Sequence, residues 1–136
     1  MEEIVALLSS EDRADRLEGL ARLGDELEHA VGDVSAWQRT LQTIVDDLPK
    51  EPDTELTEAA LNTLVTGAER AGLAYDVAPI VTALPVLPMA LVPYALELVG
   101  LTHDPKHEAL LERLAGSHDP AVAEAAHEAL VELRGA

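Results

Sequence analysis

The chain has 136 residues and a mass of 14.5 kDa, the size of one domain spanning 1–136. It has no cysteine, which excludes disulfides, thiolate metal sites and cysteine nucleophiles. With 26 Asp and Glu against nine Lys and Arg its formal charge is −17, a field that repels phosphate and argues against nucleic acid as a partner.

Apolar residues recur at helical rather than strand spacing. Trp37, Leu41, Ile44, Val45 and Leu48 fall on one helical face, as do Val122, Ala126, Ala129, Leu130 and Leu133. Leu61, Leu64, Val65 and Ala68 form a third stripe. Asp12, Ser35, Asp53, Asp104 and Asp119 precede such stripes and are candidate N-caps. Gly24, Gly72, Gly100 and Gly116 lie near expected helix ends, and Pro49, Pro52, Pro105 and Pro120 fit breaks or first-turn positions. In chain order the reading is eight helices, at about 2–8, 11–28, 35–48, 53–71, 76–84, 87–99, 104–115 and 119–134. Short links make sequential neighbours antiparallel.

The start, Met1-Glu2-Glu3, lacks the basic opening of a secretory signal, so a cytoplasmic protein is expected. Val77 to Leu96 carries no charge and is long enough to span a bilayer, yet Pro79, Pro85, Pro88 and Pro93 would leave carbonyls unpaired in lipid. Two short buried helices meeting at Pro85-Val86-Leu87-Pro88 are expected instead, with no membrane partner. The fifth and sixth helices, at about 76–84 and 87–99, should be the most buried.

The segment from Ser10 to Leu23 aligns without a gap on Ser117 to Leu130. Ser10 falls on Ser117, Asp12 on Asp119, Ala14 on Ala121 and Leu23 on Leu130, with Gly19 on Ala126, where a small residue admits a close neighbour. Eight helices make four hairpins of about thirty residues, a period typical of helical repeats. The segment SHDPAVAEAAHEALVEL (117–133) resembles a HEAT repeat of the short, phycobilisome-lyase-like type, through Asp119, Pro120, Val122, Ala126, Ala129 and Leu130. SSEDRADRLEGLARLG (9–24) resembles it more weakly, with Arg13 in place of proline and Asp15 in place of an apolar residue. THDPKHEALLERLAG (102–116) resembles the first helix of the last pair. The resemblance implies an all-α fold, an α-α superhelix or HEAT-like solenoid of about four hairpins, serving as a binding surface.

Chemistry is harder to find. His103 and His107 stand at i and i+4, but zinc needs three or four converging ligands, and cap-adjacent turns explain His103 and His118. A HEAT-repeat family that hydroxylates deoxyhypusine binds di-iron through four His-Glu motifs. Here only His107-Glu108 and His127-Glu128 occur, on different helix types. Bilin lyases resemble the chain through the repeat alone, and Trp37, Tyr75 and Tyr94 are too few aromatics for a tetrapyrrole site. No nucleophile elbow, phosphate loop or calcium-loop spacing is present. No cofactor, no metal and no catalytic residue is expected.

The charge is the remaining signal. Its acids concentrate at Asp25, Glu26, Glu28 and Asp33, then at Asp46, Asp47, Glu51, Asp53, Glu55 and Glu58, all near helix ends of the first two hairpins. In a stacked solenoid such ends would align into an acidic rim that steers a basic partner. Trp37 reads either as buried core or, exposed beside Asp33, as a contact residue of that rim. The expected function is a non-enzymatic module for a basic protein partner, most concretely an immunity or inhibitor protein that neutralises a basic toxin such as a nuclease. It would act as a monomer or as a heterodimer with that partner. The alternatives are a structural subunit of an assembly and a metalloenzyme using His103, His107 and His127.

Overall fold

The computed structural model describes residues 2–29 and 34–135. Among these all regular structure is helical, with eight α-helices: α1 (Glu2–Leu8), α2 (Arg13–Glu28), α3 (Gln38–Asp47), α4 (Thr54–Ala71), α5 (Ala78–Ala83), α6 (Val92–Leu101), α7 (Glu108–Ala115) and α8 (Pro120–Leu133). Short 3-10 turns lead into α3, α6 and α7, at Ser35–Trp37, Met89–Leu91 and Pro105–His107. Those three helices therefore begin later than the apolar spacing suggests. The tighter turn carries the first residues of each stripe before α geometry sets in.

The capping reading holds at four of its five positions. Asp12 accepts from the backbone N–H groups of Ala14 and Asp15, Asp53 from Glu55 and Leu56, Asp104 from Lys106, and Asp119 from Ala121 and Val122. Ser35 is instead the first residue of a 3-10 turn that has Val34 at its cap position. Gly72 ends α4 in the left-handed region, at φ 67°, where a side chain is disfavoured. Gly24, expected near a helix end, lies inside α2.

The helices gather into two compact units, residues 1–76 and 77–136. In the first, α1 and α2 form an antiparallel pair: Arg22 reaches back to Glu3 at 2.6 Å, and a Cβ on Gly19 would lie 3.0 Å from that of Leu7. The small residue expected at Gly19 thus lets α1 lie close on α2. α3 and α4 form a second antiparallel pair. Gln38 donates to the Ala74 carbonyl, and Gln42 both donates to the Asp76 carbonyl at 3.0 Å and accepts from its N–H at 2.9 Å. α2 and α4, the second members, run parallel: Arg13 meets Asp53, Thr63 Oγ1 donates to the Leu20 carbonyl, and Gly67 faces Leu27. The core between them is Leu23, Leu27, Leu41, Val45, Leu61 and Leu64, all fully buried. Truncating one of these leucines to alanine costs about 2–5 kcal/mol.

The second unit repeats part of this plan. α8 packs on both α6 and α7. Arg134, after α8, pairs with Glu108 and Glu112 of α7, so these two helices are antiparallel. Gly100 of α6 lies on Ala129 of α8, and His103 bonds Glu132 at 2.7 Å, so α6 and α8 run the same way. α6 buries Val92, Ala95, Leu96, Leu98, Val99 and Gly100, the richest buried set for its length. The link before it is not buried: Val86 is 80% and Met89 62% exposed. No helix among the described residues is long and apolar enough to cross a membrane.

Candidate functional site

Asp12, Glu51 and Asp53 of the first unit are placed by a local device that the chain uses repeatedly. In four places a side-chain oxygen two residues before a capping aspartate accepts that aspartate's N–H. The pairs are Ser10 with Asp12 at 3.0 Å, Glu51 with Asp53 at 2.9 Å, Thr102 with Asp104 at 3.2 Å and Ser117 with Asp119 at 3.2 Å. The aspartate then caps the helix with its own carboxylate. The alignment of Ser10 on Ser117 and Asp12 on Asp119 therefore reflects the same hydrogen bonds. Glu51 and Thr102 belong to the same pattern but differ in residue type, so sequence comparison passes over them.

Because α2 and α4 are parallel, their starts lie side by side. Arg13 bonds both Asp53 and Glu55, and Arg16 Nη1 lies 2.7 Å from Glu51 Oε1. The Arg13 guanidinium, with the backbone N–H of Leu56, holds the Asp53 carboxyl below its ordinary range. The Asp53 and Glu55 carboxylates raise the Arg13 pKa in turn. Asp46 and Asp47, at the end of α3, and Glu58, on α4, lie toward this same end of the unit. Asp25, Glu26 and Glu28 close α2 at its other end, about 20 Å away along the helix axis.

The acidic residues picked out from sequence thus fall into two groups rather than one rim. Asp33 lies outside the described residues. Glu51, Asp53 and Glu55 are neutralised by arginine, whereas Asp25, Glu26, Glu28, Asp46 and Asp47 are exposed with no Lys, Arg or His ion-pair partner among the described residues. Trp37 is 7% exposed, which places it in the core and out of reach as a surface contact. The neutralising arginines were not among the expected site residues. Their sequence signal is a base in the first turn of α2, where the helix dipole disfavours it and a cross-helix carboxylate compensates.

A cleft of about 390 Å³ opens between α1, α2, α3 and α4 in this unit. Its walls are apolar at Leu20, Ile44, Leu48 and Leu56, with the hydroxyls of Thr40 and Thr43 between them. Arg16, Glu51 and Asp47 stand in its lining. The Arg16–Glu51 pair is nearly self-cancelling, so Asp47 is the uncompensated charge. Arg16 Nε is buried with no acceptor among the described residues, a cost of about 1–3 kcal/mol carried in the wall.

The histidines do not assemble. His103 lies beyond α6 with a left-handed backbone, φ 54°, and bonds Glu132, while His107 is buried at the end of a 3-10 turn. The two do not share a helix face. Glu108 bonds Arg134, and His127 is exposed on α8. Among the described residues no group of three or more His, Asp or Glu side chains is placed to hold a metal ion.

Comparison with known proteins adds no relative: no family model, no curated protein and no solved structure matches the chain.

Proposed function

We propose that the chain is a non-enzymatic protein-binding module of HEAT-like helical hairpins whose first unit captures a basic protein. The observation that carries this reading is the split among its carboxylates. Arginine is spent on Glu51, Asp53 and Glu55, while Asp25, Glu26, Glu28, Asp46 and Asp47 are exposed without a cation. Residues 1–76 hold 18 acids against six bases, net −12, and residues 77–136 hold eight against three, net −5. Self-repulsion on that scale opposes folding, and a cationic partner relieves it.

The repeat assignment draws support from packing within each unit. The pairs α1–α2, α3–α4 and α7–α8 are antiparallel, α2 runs parallel to α4 and α6 to α8, and the cap device recurs at α2, α4 and α8. These are the local rules of a stacked helical repeat. The most concrete form of the function is an immunity or inhibitor protein, in which surface carboxylates stand where nucleic-acid phosphates would sit on a basic toxin such as a nuclease. It would act in the cytoplasm, as a heterodimer with its target.

The test is affinity capture from native lysate with the wild type beside a variant carrying Asp25→Asn, Glu26→Gln, Glu28→Gln, Asp46→Asn and Asp47→Asn. A basic protein held by the wild type at low salt and absent from the variant supports the reading. Identical captures by both overturn it.

A second reading rests on a separate observation. Val86, Met89 and Tyr94 of the second unit expose apolar surface in a stretch without charge. That suits a subunit of a larger assembly, and light scattering of the purified chain tests it: a monomer at all concentrations rejects self-assembly.

A further inference from the structure

We propose that the cleft between α1, α2, α3 and α4 is an anchoring pocket for a short segment of the basic partner in which an apolar side chain neighbours a lysine. The inference rests on the acidic-surface reading and adds to it a specific place and a specific chemistry. Three features of the cleft point the same way.

Its volume, about 390 Å³, lies in the range of small-ligand pockets and exceeds what one side chain fills. Its walls at Leu20, Ile44, Leu48 and Leu56 suit an aliphatic or aromatic side chain; Thr40 offers a hydroxyl to a main chain passing over it, and Thr43 Oγ1, whose proton goes to the Arg39 carbonyl, can accept only. Its charge selects the neighbour. Glu51 is doubly engaged, with one oxygen on Arg16 and the other on the Asp53 N–H, whereas Asp47 has no ion-pair partner among the described residues and Asp46 precedes it. A carboxylate ligand would add to an uncompensated negative charge. A lysine lays its aliphatic stem on the part-exposed Ile44 and brings its ammonium to Asp47.

Long-range steering and the anchor are therefore distinct properties. The exposed carboxylates set how fast a basic partner arrives, and the cleft sets how long it stays.

The experiment is an ¹⁵N-resolved NMR titration of the full chain with the acetylated, amidated tripeptide Lys-Leu-Lys at low salt. Glu-Leu-Glu, Lys-Gly-Lys and hexylamine serve as comparison probes. The expected result is saturable shifts at the amides of Thr43, Ile44, Leu56 and Ala60 with Lys-Leu-Lys, and affinity at least fivefold weaker with each other probe. Asp47→Asn should erase most of the advantage over Glu-Leu-Glu. Ala60→Leu and Thr43→Leu each fill the cleft and should abolish the shifts, and Thr43 is exposed, so that variant keeps its fold. Shifts confined to Asp25, Glu26 and Glu28 would overturn the pocket while leaving the acidic-surface reading standing. No saturable shift anywhere would likewise overturn the pocket, and the capture experiment alone decides the acidic surface. Hexylamine binding as tightly as Lys-Leu-Lys would overturn the protein segment as occupant and make the cleft a site for small amphipathic amines.

Discussion

Asp53 serves Arg13 and the start of α4 with separate oxygens. Its Oδ1 accepts from the N–H groups of Glu55 and Leu56, and its Oδ2 takes the Arg13 guanidinium from α2. One carboxylate thus caps a helix and pins two parallel helices together at their starts. Asn can replace the cap but not the charge, so Asp53→Ala should lower the thermal midpoint more than Asp53→Asn. Equal losses in the two variants, measured by circular dichroism, would show that the ion pair rather than the cap is what matters.

Acid should weaken the fold through the same groups. Asp53 is held below its usual range first by Arg13, and Asp104 first by the N–H of Lys106. A carboxyl depressed in the folded state contributes stability above its unfolded value, near 3.8, and loses it as the pH falls through the folded value. Urea unfolding at descending pH should therefore show the decline beginning near pH 4 and continuing below it. In Asp53→Asn that decline should be shallower.

Tyr75 makes a contrasting case. Its hydroxyl is buried without a partner among the described residues, and burial pushes its pKa well above the usual tyrosine range. A Cβ on Gly67 would collide with that hydroxyl, so the small residue in α4 is what admits it. Tyr75→Phe removes an orphaned group and should stabilise the chain by about 1 kcal/mol. A pKa raised on folding gives stability that is intact below about pH 10 and lost as the pH climbs further. The phenylalanine variant should lack that alkaline loss.

Two glycines inside helices should respond in opposite directions. A Cβ on Gly100 would lie 2.9 Å from Ala129 Cα, against α8 backbone that cannot yield locally. Gly100→Ala should cost about 1–3 kcal/mol. A Cβ on Gly24 meets only Thr63 Oγ1, at 3.8 Å, so Gly24→Ala should gain up to about 1 kcal/mol from helix propensity. Chemical denaturation of both variants measures the difference, and a destabilising Gly24→Ala would contradict the packing of α2 on α4.

The helices were legible because punctuation and periodicity agree: Asp12, Asp53, Asp104 and Asp119 cap where apolar stripes begin. The acidic residues were legible individually, but their grouping was not. It depends on Arg13 meeting Asp53 and Arg16 meeting Glu51 across 40 and 35 residues, and no local pattern encodes that register. The cleft has the same origin, since Leu20, Ile44 and Leu56 come from three helices. The division between the two units had one sequence sign, the start of the uncharged stretch at Val77. Trp37 could be read either way because its stripe is amphipathic, and the fold of the first unit decides for burial.

On the proposed function, exposed carboxylates without cation partners draw in a basic protein. The most direct measurement is the association rate of the captured basic protein against ionic strength, for the wild type and for the five-fold amide variant at Asp25, Glu26, Glu28, Asp46 and Asp47. The rate should fall steeply with salt for the wild type, and be slower with a clearly shallower salt dependence for the variant, which keeps 21 acids against nine bases. Identical rates and salt slopes for the two proteins would contradict it and leave the charge a matter of solubility.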